Sequence, residues 1–290
     1  MLINATAEPL SLGAACWHAL VLGIVQGLTE FLPISSTAHL KVVPVLLGWG
    51  DPGLAFTAVI QLGSIVAVLA YFRSDLAEVG RGVARAFRHQ QWREPSARLG
   101  VAIGLGTVPI LLAGLALKIW VPGYESSPLR SMTSIAVVSI VMALLLAAAE
   151  LRGARRRRIQ DVLPRDGLLV GAAQALALVP GVSRSGSTLT ASLFDGWQRP
   201  AAARFSFLLG IPAITLVGLV ELRDAIQQPA NGGLLPTLLG VVSAAVVSWL
   251  AIAWLLRFLQ RHSTWVFVAY RLLFGLVILL FFRSSEGSVG

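Results

Sequence analysis

The stretch FLPISSTAH, residues 31–39, interrupts an apolar region that extends over residues 9–50. A second apolar region, residues 166–198, is interrupted in the same way by VPGVSRSGST, residues 179–188. Each break combines a proline with a cluster of serine and threonine, so each region is predicted to form a helix, a polar turn and a second helix. Non-helical backbone at membrane depth is tolerated only where protein or a water-filled cavity surrounds it. In a membrane, the two regions are therefore predicted to be re-entrant helical hairpins.

The composition places this chain in lipid. Hydrophobic residues make up 56% of its 290 residues, charged residues make up 13%, and the mean hydropathy is +0.77. Ordinary soluble domains carry about 25% charged residues. Six further apolar runs are long enough to cross about 30 Å of hydrocarbon, and they lie near residues 54–72, 99–121, 131–150, 205–222, 235–259 and 265–283. We predict an all-α integral membrane protein, a single membrane domain over residues 1–290, with six transmembrane helices plus the two hairpins.

The arginines give this domain an orientation. The net charge is +9, but the arginines cluster between apolar runs, so they are a topology signal and no nucleic-acid partner is predicted. Segments 73–98 and 151–165 each contain six arginines and are separated by two spans, so both are predicted to be cytoplasmic. Counting spans from these segments places the loop at residues 122–130 outside. It also makes hairpin 9–50 open outward and hairpin 166–198 enter from the cytoplasm. A site at the midplane is reachable from either face, so the side of substrate entry stays open.

The two hairpin regions also resemble each other in sequence. The aligned pairs are Gly23 with Gly171, Gln26 with Gln174, Leu28 with Leu176 and, after a shift of one residue, Pro33 with Pro180. We therefore predict an inverted-topology repeat with halves at residues 9–150 and 166–283. In such repeats, broken helices from the two halves meet near the bilayer midplane and form a site there.

The second break has the chemistry of a phosphate site. Arg184 offers a forked guanidinium, and its neighbours offer hydroxyls, a glycine and the free amides of a helix N-terminus. An arginine at bilayer depth is costly and is a functional candidate for that reason. The alternative for the hydroxyls and the glycine is that they only allow close helix packing in lipid. The predicted substrate-binding residues of this break are Ser183, Arg184, Ser185, Gly186 and Thr188.

The first break adds groups that suit hydrolysis. Gln26 and Glu30 are four residues apart and Ser36 and His39 are three apart, so each pair shares a helical face. A carboxylate, a hydroxyl and an imidazole beside an anion suit nucleophilic displacement or metal-assisted hydrolysis at phosphorus. The predicted residues are Glu30, Ser36 and His39 as catalytic groups, Glu30 also as a metal ligand, and Gln26, Ser35 and Thr37 as substrate-binding groups. Two alternatives stay open: His39 as a buried neutral histidine, and Glu30 as a helix cap or a partner of Arg184.

Two long motifs resemble a known family. QGLTEFLPISSTAH (residues 26–39) and PGVSRSGST (180–188) look like the signature motifs of undecaprenyl pyrophosphate phosphatases of the bacitracin-resistance type, and VIQLGS (59–64), FSFLLGIP (205–212) and YR (270–271) follow in that family's order. The resemblance covers nearly the whole chain. It implies a multi-pass enzyme of the bacterial inner membrane that hydrolyses undecaprenyl pyrophosphate to undecaprenyl phosphate and inorganic phosphate, recycling the carrier lipid of peptidoglycan synthesis. It also implies six spans, two re-entrant hairpins, an inverted repeat and a divalent cation, Mg²⁺ or Ca²⁺.

Three positions depart from the family pattern. Ala38 stands where many members have glycine, and Thr57 stands where some members have glutamate. At position 26 the family has either glutamate or glutamine, and this chain has glutamine. Glu30 is then the only acid of the first motif. Water or the phosphates of the substrate are expected to complete the ligand shell of the cation, as Mg²⁺ commonly permits.

The sequence leaves two mechanisms open. In one, Ser36 attacks the terminal phosphorus while His39 or Glu30 accepts its proton; in the other, the same groups activate water and Ser36 only orients the phosphate. Arg271, in the last span, is predicted to make a second phosphate contact.

A transporter is the main rival to an enzyme. Inverted repeats with broken helices are typical of alternating access, so a polyprenyl-phosphate transporter or flippase without hydrolysis is the second hypothesis. Ser36 and His39 favour an enzyme, because a carrier needs no nucleophile. The predicted partners are a long-chain polyprenyl diphosphate and the membrane, and a homodimer stays open.

Overall fold

The computed structural model describes residues 10–50, 53–124, 127–227 and 233–286. The described residues form eleven α-helices and no β-strand beyond an isolated bridge between Arg157 and Trp197. The helices are α1 (Leu12–Phe31), α2 (Ser36–Leu46), α3 (Leu54–Tyr71), α4 (Arg73–His89), α5 (Pro95–Trp120), α6 (Met132–Arg152), α7 (Pro164–Ala175), α8 (Arg184–Phe194), α9 (Arg199–Gln227), α10 (Leu234–Arg261) and α11 (Trp265–Glu286). The prediction of one domain over 1–290 includes residues 1–9 and 287–290, which lie outside the described residues.

Six described helices are long and apolar enough to cross a membrane. They are Leu12–Phe31, Pro95–Trp120, Met132–Arg152, Arg199–Val220, Leu234–Arg261 and Trp265–Phe282. Large apolar side chains cover their outer surfaces, such as Leu112 and Leu144, which are 62% and 56% exposed. An apolar surface of this extent belongs against hydrocarbon. The chain is therefore a multi-pass membrane protein, as predicted.

The six helices are not quite the six predicted runs. The span Leu12–Phe31 comes from the region predicted as a hairpin, whereas the predicted run 54–72 forms α3. This helix bends by 65° into α4, and the pair counts as a seventh span only if the two arms are taken together. The bend lies at Phe72, where an apolar sequence gives way to the charged residues of α4. Hydropathy shows which residues prefer lipid, but it does not show where the chain bends, so this bend could not be predicted from the sequence.

The two breaks have the same local structure. Pro33 and Pro180 lie in the breaks, and α2 and α8, which follow them, have 11 residues each. The residue before each of these helices is a serine with a positive φ, +78° at Ser35 and +69° at Ser183. A positive φ is uncommon for a residue with a side chain and costs free energy, so it persists only where the surroundings impose it.

Two glycine-rich contacts set the position of the helices before the breaks. On α1, a Cβ at Gly27 would lie 2.8 Å from the carbonyl oxygen of Ala244 in α10. On α7, a Cβ at Gly171 would lie 2.3 Å from the carbonyl oxygen of Gly106 in α5. Glycine thus allows the backbones to approach closely, which is a common way to pack helices in lipid.

Candidate active site

The two breaks meet through an ion pair. Glu30, near the end of α1, accepts a hydrogen bond at Oε1 from Nη2 of Arg184, the first residue of α8, over 3.2 Å. Each side chain is only 9% exposed. Glu30 thus pairs with Arg184, the contact named in one of the alternatives that the sequence left open, and its catalytic role stays a prediction.

Ser36 is bonded to the other oxygen of the same carboxylate. Its Oγ donates to Glu30 Oε2 over 2.7 Å. Gln26 also donates to Oε2, over 3.3 Å, and to the hydroxyl of Ser64 in α3, over 3.4 Å. A hydroxyl bonded to a carboxylate is an arrangement in which the carboxylate can accept the proton of a nucleophile.

Arg184 keeps donors that no described side chain or backbone group uses. Its Nε and Nη1 are buried without a hydrogen-bond partner, and so is the amide oxygen Oε1 of Gln26. The guanidinium lies against α9, where a Cβ at Gly210 would come 1.7 Å from Nη1. Buried polar atoms are almost always paired, so these atoms indicate a place for a ligand. A phosphate would satisfy the guanidinium with charge-assisted hydrogen bonds.

The hydroxyls of the second break hold its shape. Ser183 accepts a hydrogen bond from the backbone N–H of Gly186 over 3.1 Å and contacts Ser185 Oγ at 3.2 Å. Ser185 donates to the carbonyl of Leu32 in the first break over 2.9 Å, and Thr188 donates to the carbonyl of Arg184 over 2.8 Å. Of these predicted substrate-binding side chains, Ser185 therefore joins the two breaks, whereas Ser183 and Thr188 hold the first turn of α8 around Arg184.

The first break contains a matching hydroxyl pair. The Oγ of Ser35 lies 3.1 Å from Oγ1 of Thr37. Ser35 is buried at 1% exposure, whereas Thr37 is exposed. Of the two predicted substrate-binding residues, Thr37 is thus the more accessible.

His39 belongs to a second pair of side chains. Its Nδ1 lies 2.7 Å from the carbonyl oxygen of Ser35, and its Nε2 lies 2.6 Å from the hydroxyl of Tyr270 in α11. Because a carbonyl only accepts, Nδ1 is assigned the proton and Nε2 accepts from the Tyr270 hydroxyl. Both ring nitrogens are engaged, and neither bonds to Ser36. Of the two proton acceptors weighed for Ser36, the geometry therefore favours Glu30.

Arg271 contacts backbone where a phosphate contact was predicted. Its side chain is 1% exposed, and its Nη1 donates to the carbonyls of Pro33 and Val182 over 3.1 and 3.0 Å. Its Nη2 donates to Gly181 O over 2.7 Å, and its Nε donates to Ser139 O over 3.3 Å. Most of its N–H donors thus hold the two breaks together.

A comparison with known proteins identifies the family. The model of the family described as bacitracin resistance protein BacA matches residues 19–277. The chain belongs to the BacA family. A relative from Prochlorococcus marinus (strain MIT 9313), named undecaprenyl-diphosphatase, is 69% identical over 288 residues, which cover 99% of this chain and 95% of that protein. Proteins of the same name from Synechococcus sp. (strain WH7803) and Parasynechococcus marenigrum (strain WH8102) are 70% and 72% identical, over 97% and 93% of this chain and 98% and 94% of theirs.

The oxygen donors of this BacA-family site fit a divalent cation only in part. Among the described residues, no group of three or more histidine, cysteine, aspartate or glutamate side chains lies close enough to hold a metal. Glu30 and the partnerless Oε1 of Gln26 are nevertheless two adjacent oxygen donors. Mg²⁺ is usually held by one or two carboxylates together with water and substrate phosphates, so this set suits a cation that arrives with a diphosphate.

Tyr270 is the site residue that the sequence reasoning missed. Its partner His39 is 231 residues away in the chain, so no spacing argument connects them. The only signal in the sequence is the dipeptide YR at 270–271. It is part of the family resemblance, but the resemblance assigns no role to the tyrosine.

Proposed function

We propose that this chain hydrolyses undecaprenyl diphosphate to undecaprenyl phosphate and inorganic phosphate, the reaction named by its BacA-family relatives. The observation that carries the proposal is Arg184, which has two buried, partnerless nitrogens beside the Ser36 and Glu30 pair. The partnerless nitrogens of Arg184 suit the binding of a phosphate, and the bonded Ser36 and Glu30 suit attack on its phosphorus. Placed in the cytoplasmic membrane of a bacterium, the enzyme would recycle the carrier lipid used in peptidoglycan synthesis.

The reaction starts with the terminal phosphate bound to Nε and Nη1 of Arg184. Ser36 Oγ attacks the terminal phosphorus and gives its proton to Glu30, 2.7 Å away. The bond from that phosphorus to the bridging oxygen breaks, and undecaprenyl phosphate leaves with the bonding electrons. Water then attacks the phosphorus of phosphoserine and the bond from phosphorus to Ser36 Oγ breaks. Ser36 Oγ takes back the proton held by Glu30, and inorganic phosphate leaves with both protons of the water. Arg184 stabilises the charge that shifts toward the leaving oxygen.

A divalent cation, Mg²⁺ or Ca²⁺, completes this proposal. Glu30 and Gln26 Oε1 are the residues that would hold it, together with phosphate oxygens of the substrate. Such a cation supplies positive charge that offsets the charge of the diphosphate.

We also propose that the chain is an inverted repeat with two re-entrant hairpins. The matching positive-φ serines Ser35 and Ser183, and the equal lengths of α2 and α8, support equivalent breaks. The packing supports it as well, because α1 of the first half packs on α10 of the second, and α7 of the second half packs on α5 of the first.

Contacts of the hairpins with the neighbouring loops support entry from opposite faces. Lys41, in α2, donates to the carbonyl of Arg130, in the loop predicted to lie outside. Arg157, in the loop predicted to be cytoplasmic, pairs with Asp166 of α7 and with Asp195 at the end of α8.

The test is phosphate release from a long-chain polyprenyl diphosphate by purified protein in detergent. We expect turnover by the wild type with Mg²⁺ or Ca²⁺, and loss of turnover in Arg184→Ala and after addition of a chelator. Arg204→Ala is the matched control, because Arg204 pairs with Asp75 on the surface and is 47% exposed. Folded wild type that moves the lipid across a bilayer without releasing phosphate would establish the transporter instead.

A further inference from the structure

A charged helix connects the apolar helices α3 and α5 at the arginine-rich end. This helix, α4, follows α3 directly after the 65° bend, and α5 starts at Pro95, shortly after α4 ends. Its middle packs on the first turns of α5, because a Cβ at Gly82 would overlap Ser96 and one at Gly100 would overlap Val83. Both ends and the middle of α4 are thus tied to apolar helices where those helices end. We infer from this packing that α4 lies along the surface of the membrane.

Two arginines lie on the side of α4 that faces away from the protein. Gly82 and Ala86 are buried and mark the side that packs on α5. Because residues advance by about 100° along a helix, Arg81 and Arg88 both lie on roughly the opposite side, about two turns apart. Both are exposed. Their guanidinium groups therefore point toward whatever covers this side of α4.

An exposed aromatic pair lies beside Arg88. Phe87 is 68% exposed, and Trp92, in the turn after α4, is 36% exposed. Their ring centroids are 4.8 Å apart, with the rings edge to face. Tryptophan is enriched at membrane–water interfaces, where its amphipathic ring lies at the level of the headgroups. The pair thus indicates that the end of α4 contacts lipid.

The arginines of this surface are available to an anion. Arg81, Arg88 and Arg93 are exposed and form no ion pair with any residue that the structure describes. Arg93 directly follows Trp92 in the chain. We call these three arginines, together with Phe87 and Trp92, the α4 surface. It combines positive charge with aromatic rings on one connection between two apolar helices.

The acids near the α4 surface do not neutralise it. Asp75 pairs with Arg204 of α9, and Glu94 pairs with Arg85 over 2.9 Å. The remaining acid of α4, Glu78, is exposed and is a single carboxylate beside three arginines. The α4 surface therefore keeps a net positive charge, which is complementary to an anionic partner.

We propose that the α4 surface binds the phosphate headgroups of anionic lipids in the leaflet against which α4 lies. Arg81 and Arg88 bond to phosphate oxygens through their forked guanidinium groups, and Phe87 and Trp92 lie among the adjoining glycerol and acyl groups. Basic segments next to a membrane span are attracted to an anionic bilayer surface. The occupant is a lipid and not a soluble anion, because arginines and aromatic rings share one surface at the membrane. This interaction is independent of the proposed hydrolysis.

The test measures which lipid contacts Trp92. Purified full-length protein is placed in phosphatidylcholine vesicles that contain a small share of brominated phosphatidylglycerol or, in parallel, of brominated phosphatidylcholine. Bromine quenches tryptophan emission on contact, and the emission of Trp92 is the difference between wild type and Trp92→Phe. We expect the anionic lipid to reach half-quenching at an about tenfold lower share than the neutral lipid, because arginines near the surface favour anionic headgroups. Salt at about 1 M shortens the Debye length to about 3 Å and should reduce this preference.

A pair of double variants makes the test specific to α4. Arg81→Gln with Arg88→Gln should remove the preference for the anionic lipid. Arg152→Gln with Arg156→Gln is the matched control, because it removes the same charge from exposed positions at the same end of the molecule, outside α4, and should keep the preference. Both double variants are first shown to unfold at the wild-type temperature.

Three results would overturn the proposal. One is equal quenching of Trp92 by the two lipids in the wild type. Another is a preference that survives in folded Arg81→Gln with Arg88→Gln. The third is a preference that inorganic phosphate abolishes at constant ionic strength, since the α4 surface would then take a soluble anion. None of these results bears on phosphate release, so the proposed function is tested separately.

Discussion

Two arginines lie at the centre of the molecule, and their hydrogen bonds give them different roles. Arg184 bonds to Glu30 and keeps two buried nitrogens without a partner. Arg271 donates to carbonyls of Pro33, Val182 and Gly181 in the two breaks and is 1% exposed. A buried arginine with partnerless donors is suited to a ligand, whereas one that gives most of its donors to carbonyls is suited to holding backbone. Arg184 is therefore the arginine suited to a ligand, and Arg271 positions the two breaks.

A glycine beside Arg184 gives a sharp test of that assignment. In Gly210→Ala the new methyl group would overlap Nη1 of Arg184, 1.7 Å away, so the guanidinium has to move. We expect kcat/KM for undecaprenyl diphosphate to fall by about tenfold or more, because the phosphate loses a positioned donor. The matched control is Gly104→Ala in α5, where a Cβ meets nothing within 4 Å. Equal activity in the two variants would mean that Arg184 does not need its observed position.

At the scale of the elements, a buried carboxylate joins helices that are far apart in the chain. Glu150, in α6, is 2% exposed and bonds to Arg199 at the start of α9 and to Arg155 in the following loop. It also accepts from the hydroxyl of Thr264, just before α11, over 2.8 Å. These contacts tie three helices together at the arginine-rich end. The sequence shows that arginines cluster at this end, but it does not show that Glu150 pairs with two of them.

The loss of this carboxylate is expected to destabilise the fold. Removing Glu150 leaves Arg155 and Arg199 without their carboxylate, and because these arginines are 35% and 23% exposed the cost lies below that of a fully buried charge, at about 1–3 kcal/mol. We expect Glu150→Ala to lower the free energy of unfolding by roughly this amount, measured by denaturant or thermal unfolding in detergent. Glu94→Ala is the control, because Glu94 pairs with Arg85 on the surface and such pairs contribute only about 0–1 kcal/mol. A loss no greater than that of the control would contradict the structural role of Glu150.

At the scale of the whole molecule, the sequence predicts the positions of the apolar regions and of their breaks, but it does not predict the angles at which the helices meet. The two breaks interrupt apolar regions with proline and hydroxyl residues, so FLPISSTAH and VPGVSRSGST could be recognised without coordinates. The bend between α3 and α4 could not, because hydropathy carries no angle. The meeting of Glu30 with Arg184 was weighed as an alternative, since a buried charge needs a partner. The pairing of His39 with Tyr270 depends on how α11 packs against α2, which no local pattern records.

The proposed entry of the two hairpins from opposite faces makes a prediction for the whole chain. Cys16 is the only cysteine, so a Cys16→Ser background allows single cysteines to be introduced. Leu47→Cys, at the end of α2, should react with a membrane-impermeant thiol reagent from outside in intact cells. Arg156→Cys, in the loop before α7, and Phe194→Cys, at the end of α8, should react only after permeabilisation. All three positions are exposed in the structure, so accessibility reports the side of the membrane.

Two controls make the labelling decisive. Ser127→Cys, in the loop predicted to lie outside, should behave like Leu47→Cys, and each variant should retain phosphate release. If α1 crosses the bilayer and α2 does not return, Leu47→Cys lies well away from the outer surface and is not labelled from outside. That outcome would remove the first hairpin, and with it the inverted repeat, because the first break could no longer be equivalent to the second. Labelling of Leu47→Cys from outside and of Phe194→Cys only from inside would require both half-helices to return to the face from which they entered.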